Sequence, residues 1–144
     1  MTSPSTTRIE HHPDIIALRS KYEQANETWT AHVINGLILI TGLYLAISPW
    51  VVGFQGLTPL AIVNAMTGLI VAALAFGLGA TYERLHGLAW VIPVLGVWTL
   101  VAPWVVRGGV DTTPAVANNV ITGAICALLG AAALYMMGAR QLRR

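Results

Sequence analysis

Ile47-Ser48-Pro49-Trp50-Val51-Val52 returns 54 residues further on as Val101-Ala102-Pro103-Trp104-Val105-Val106. Each copy closes a long run free of Asp, Glu, Lys and Arg. Each leads through a short loop to a Thr-Pro pair, Thr58-Pro59 and Thr113-Pro114, that opens a second such run. Proline ends or bends a helix, and tryptophan at a helix end sits well in the headgroup layer. The chain therefore reads as one two-helix membrane unit used twice.

Composition requires the same solvent. Of 144 residues, 56% are apolar and 10% are charged, against about 25% charged in a soluble domain. So few charges cannot cover a water-facing surface. The length suits one domain. Residues 1–30 hold no apolar core ahead of a small-residue cleavage site, so the first span is expected to act as its own insertion signal. Cys126 is the one cysteine, which excludes an internal disulfide. It reads as a small packing residue.

Four regions follow. Residues 1–12 are a polar, disordered cytoplasmic tail. Residues 13–28 carry Ile15, Leu18, Tyr22 and Ala25 at helical spacing, followed by Trp29, which predicts a short amphipathic helix. It either lies on the membrane or extends the first span. Residues 29–82 form the first two-helix unit, with spans Ala31–Trp50 and Thr58–Ala80. Residues 83–144 form the second, with spans Gly87–Val106, kinked at Pro93, and Thr113–Gly138, and a basic cytoplasmic end. The expected class is an all-α membrane protein of four transmembrane helices in a bundle.

Charge sets the expected orientation. Arg8, Arg19, Lys21, Arg84, Arg140, Arg143 and Arg144 fall on one side and only Arg107 on the other. The side rich in Lys and Arg stays inside. Both termini and the loop after Ala80 are thus expected in the cytoplasm, with the chain multi-pass in the cell (inner) membrane. Each unit begins and ends inside, so the two are parallel repeats about an axis along the membrane normal.

Further residues share the offset. Gly42-Leu43-Tyr44 matches Gly96-Val97-Trp98, and His32 matches His86. Asn64, Thr67 and Gly68 match Asn119, Thr122 and Gly123 at 55. A glycine, an aromatic two residues on, and Ser-Pro-Trp closing a span resemble the SPW repeat family of small prokaryotic membrane proteins. The resemblance covers roughly residues 30–138. Ser48-Pro49-Trp50 matches the signature; Ala102-Pro103-Trp104 departs from it at the serine. The resemblance implies two transmembrane helices per repeat and brings no established activity and no catalytic residues.

Pro49-Trp50 and Pro103-Trp104 read as helix ends anchored at the interface. Asn64 with Thr67, and Asn119 with Thr122, lie three apart on one helix face, which suits bonds between helices. Ala61 and Ala65, and Gly123, Ala127 and Ala131, allow close helix approach. No phosphate loop, zinc spacing or nucleophile elbow is present, and no Asp, Glu, Lys or Arg lies mid-span, where proton and ion pathways place them. The expectation is a non-enzymatic structural or accessory module, without catalytic residues, metal or cofactor. Its partners are the lipid bilayer, other membrane proteins or further copies of itself, and not nucleic acid. The competing reading is haem-based electron transfer with His32 and His86 as axial ligands; here the two rings are expected not to converge and the protein to be colourless. A small channel or exporter comes after that.

Overall fold

The structure, a computed structural model, describes residues 12–80, 85–106 and 113–142, excepting the side chains of Glu27 and His86. Four α-helices follow one another: α1 (Pro13–Val52), α2 (Thr58–Ala80), α3 (Val91–Val106) and α4 (Thr113–Leu142), with a 3-10 turn at His86–Leu88. No strand occurs among the described residues. α1, α2 and α4 are long and apolar enough to cross a membrane. The chain divides into two compact units, Met1–His32 and Val33–Arg144.

In the first unit, described from His12, Ile15, Leu18, Tyr22 and Trp29 are all exposed. Arg19 lies 3.9 Å from Glu23, one helical turn on, in an exposed and weak pair. Most of the expected tail lies outside the described residues. Of the two arrangements expected for residues 13–28, the structure has the extension: they are the start of the 40-residue α1. No proline or glycine interrupts residues 14–35, and the hydroxyls of Thr28 and Thr30 donate to the carbonyls of Gln24 and Asn26, four residues back. Nothing in that stretch gives the backbone a reason to leave the helix.

In the second unit, burial follows the sequence offsets. Ile38 and Ile92, Gly42 and Gly96, Leu45 and Thr99, and Pro49 and Pro103 are buried at an offset of 54. Leu60 and Ala115, Asn64 and Asn119, Thr67 and Thr122, Gly68 and Gly123, and Val71 and Cys126 are buried at 55. One apolar cluster, toward the Pro-Trp ends, gathers Phe54, Leu60, Ala102 and Ala115. Another gathers Ile38, Val71, Ala75, Leu78, Ala89, Ile92 and Cys126. The buried asparagines fall between these clusters along α2 and α4.

Glycines set how closely the helices cross. A Cβ on Gly42 would stand 2.7 Å from the Ala72 nitrogen and 2.9 Å from the Gly68 oxygen. One on Gly68 would overlap the backbone of Ala46. In α3 and α4, Gly96 meets the Ala127 backbone, and a Cβ on Gly123 would stand 2.7 Å from the Leu100 nitrogen. Ala72 with Ala127, and Ala46 with Leu100, are again 55 and 54 apart. Ala61 is buried and Ala65 half-buried, but Ala131 is exposed and takes no part in the close approach. Outward, Ile40, Leu69, Phe76, Leu128 and Tyr135 are exposed. An apolar exterior of this kind is what a lipid solvent produces.

The expected third span is corrected at its start. Residues 86–88 form a 3-10 turn and α3 begins only at Val91, with the Ile92 N–H donating to the Ala89 carbonyl at 3.3 Å. Pro93 therefore sits in the first helical turn, where its missing N–H costs no intrahelical bond, rather than at a mid-helix kink. Gly130 makes room for it: a Cβ there would lie 2.7 Å from the Pro93 ring. α3 has 16 residues, or about 24 Å at 1.5 Å per residue. That is short of the roughly 30 Å hydrocarbon thickness.

Candidate functional site

The repeated Pro-Trp stretch lies inside the ends of α1 and α3, which continue to Val52 and Val106. α1 passes the expected end of the first span, Trp50, by two residues. Proline leaves the carbonyl four residues back, that of Leu45, without its usual amide donor. Ser48 Oγ donates to this carbonyl at 2.8 Å while fully buried. Within a span, a serine can re-satisfy backbone that proline has freed. The serine thus has a backbone partner that accounts for it without chemistry. Ala102 stands in its place beside Pro103 and offers no donor to the carbonyl that Pro103 frees, that of Thr99; the Thr99 hydroxyl itself donates one turn back, to the Leu95 carbonyl.

The helix stops at Gly53, whose φ of +85° suits a residue without a side chain. The Phe54 N–H donates to the Pro49 carbonyl at 2.9 Å. This is the long bond of a Schellman cap, satisfying a carbonyl that the helix end would leave open. Trp50 and Trp104 remain exposed. Both fit anchors at an interface.

Asn64 and Asn119, on α2 and α4, are almost completely buried and bond reciprocally. Asn64 Nδ2 donates to Asn119 Oδ1 at 2.7 Å, and Asn119 Nδ2 donates to Asn64 Oδ1 at 3.0 Å. Asn118 Nδ2 reaches Asn119 Oδ1 at 3.3 Å, and the Tyr44 hydroxyl donates to Asn118 Oδ1 at 2.9 Å. The network links α1, α2 and α4. Thr67 and Thr122 are buried one turn further along, and neither hydroxyl has a hydrogen-bond partner among the described residues. Asn35 Nδ2 adds a bond to the Ala75 carbonyl at 2.8 Å.

Beside the network a groove of about 540 Å³ runs between α1 and α4, with Thr41, Tyr44, Asn118 and Thr122 among apolar residues. Asn118 escaped the reading of the sequence, and Tyr44 entered it only as the aromatic that matches Trp98. The available signal at position 118 was a break in the repeat, where Val63 stands at the equivalent position.

His32 is exposed, with Nδ1 2.7 Å from the Thr28 carbonyl oxygen, a bond that places the proton on Nδ1. The side chain of His86 lies outside the described residues. Cys126 is buried with Sγ 3.8 Å from the Ile92 carbonyl oxygen. Among the described residues no three His, Cys, Asp or Glu side chains gather as a metal site would need.

A family model described as the SPW repeat domain matches residues 23–133. The chain belongs to the SPW repeat family. The match spans both Pro-Trp copies and all or part of every helix. No match was found among curated proteins, nor among solved structures. SPW membership together with the apolar helices makes this a multi-pass membrane protein.

Proposed function

We propose that this SPW protein is a non-enzymatic accessory module of the cell membrane. In this reading four spans form two parallel two-helix repeats, with both termini cytoplasmic, and the module binds other membrane components. The reciprocal Asn64–Asn119 bond is the observation that carries the reading. A mutual contact between residues at equivalent positions is what a twofold axis produces. The matched glycine crossings, Gly42 on Ala72 and Gly96 on Ala127, fit the same axis. With two spans per repeat, such an axis runs along the membrane normal. α3 and the 3-10 turn before it together supply the third crossing, and the seven-to-one distribution of Lys and Arg supports the orientation.

The accessory role rests on where the polar groups go. Asn64 and Asn119 bond to one another, Ser48 and Thr99 bond to backbone, and Gly42, Gly68, Gly96 and Gly123 serve helix contact. Side chains of a transport path would instead face a wet cavity. Purification from native membranes in mild detergent, with an absorption spectrum and quantification of what co-purifies, tests the reading. The expected result is a colourless protein carrying a membrane component at a fixed ratio. A Soret band would move the assignment to haem ligation.

A further inference from the structure

The groove between α1 and α4 breaks the repeat. At the equivalent place between α3 and α2, Trp98 replaces Tyr44 and Val63 replaces Asn118. Trp98 keeps an indole N–H and Thr67 keeps the hydroxyl of Thr122, but Val63 carries no polar group, so packing of the bundle does not require an amide at this position, yet α4 carries one. Asn118 is 8% exposed and Thr122 4% exposed, and both line the groove. Tyr44, 39% exposed, also lines the groove.

A donor count defines the ligand chemistry. The Tyr44 hydrogen goes to Asn118 Oδ1, and one Asn118 amide hydrogen goes to Asn119. The second Asn118 amide hydrogen and the Thr122 hydroxyl have no partner among the described residues. Uncommitted donors in an apolar groove recognise an acceptor such as a carbonyl oxygen. We propose that this groove holds the carbonyl-bearing ring of a lipid-soluble, quinone-type molecule, with Ile40, Ile121 and Ile125 against its hydrocarbon body.

Depth argues against an ordinary lipid. Tyr44 lies six residues before Trp50, about 9 Å along the helix. With Trp50 at the headgroup level, this is below the ester carbonyls of phospholipids, where an acyl chain offers no acceptor. A second copy of the chain packed through the same face is also disfavoured, because two concave faces brought together leave a void. The volume of about 540 Å³ falls within the range of small-molecule sites. The inference names a membrane component for the proposed module and rests on that reading for depth.

The test uses the full chain in phosphatidylcholine–phosphatidylglycerol nanodiscs. The probe is 2-methyl-1,4-naphthoquinone carrying a diazirine on an alkyl tail, with cross-linked residues mapped by mass spectrometry. Labelling should saturate at Tyr44, Ile121 and Ile125 and be displaced by unlabelled naphthoquinone. It should be absent at Met66 and Trp98. Asn118→Val and Thr122→Val should each raise the half-saturating concentration about tenfold, the effect of losing one hydrogen bond. Non-saturable labelling of both sides would overturn the proposal and assign the groove to acyl chains. Cross-links joining two chains through the groove would overturn it in favour of self-association. Neither needs a variant, so misfolding of Asn118→Val leaves the decision intact. External labelling of Gly56→Cys, read on intact cells, tests orientation separately: saturable groove labelling with an unreachable thiol would overturn the orientation given in the proposed function and keep the site.

Discussion

Asn64 and Asn119 each donate one amide hydrogen to the other and accept one from it, so removing either leaves the other short in a place without water. Hydrogen bonds between membrane helices contribute about 0.6 kcal/mol on average and up to about 1.7. Asn64→Val and Asn119→Val should each lower unfolding stability in mixed micelles by about 1 kcal/mol. The double variant should lose clearly less than the sum; strict additivity would contradict the pairing. Ser48 makes a sharper test. Ser48→Ala removes the donor that replaces the proline's missing N–H at Leu45, at a cost of about 1 kcal/mol, while Ala102→Ser should gain a similar bond at Thr99. If Ser48→Ala left the unfolding midpoint unchanged, that role would be wrong. The asparagine pair was legible in the sequence because both members keep the 55-residue offset. The Tyr44–Asn118 bond was not, since it joins residues 74 apart that share no pattern.

Helix crossings and helix ends set the behaviour of the elements. Gly68→Ala would press a methyl into the Ala46 backbone, and overpacking of this kind costs about 1–3 kcal/mol. Gly36 has no atom within 4 Å of a built Cβ, so Gly36→Ala should be neutral or stabilising by up to about 1 kcal/mol. Thermal denaturation of the two variants side by side checks the contrast, and equal losses would contradict it. Gly53→Ala forces a side chain into left-handed backbone and should cost about 1–2 kcal/mol. The helices themselves were legible from their apolar lengths, but their ends were less so. Leu88, Ala89 and Trp90 are as apolar as the helix that follows, so nothing in their chemistry announces that α3 starts at Val91. Pro49 is a strong stop signal, yet Ser48 and the cap at Gly53 let α1 run three residues past it.

At the scale of the whole molecule, the proposed arrangement is two helix pairs joined around the Asn64–Asn119 bond. It places the Pro-Trp ends outside and the loop after Ala80 inside. Inverted repeats would place the two Pro-Trp ends on opposite faces, so topology separates the alternatives directly. The decisive measurement is labelling of intact cells with a membrane-impermeant maleimide. The background is Cys126→Val, which places there the residue found at the equivalent position 71. Single cysteines are introduced as Ser5→Cys, Gly56→Cys, Gly109→Cys and Arg143→Cys. Labelling of the Gly56→Cys and Gly109→Cys proteins, with the other two labelled only after lysis, is the predicted result. External labelling at only one of positions 56 and 109, or at position 5, would contradict the parallel four-span arrangement.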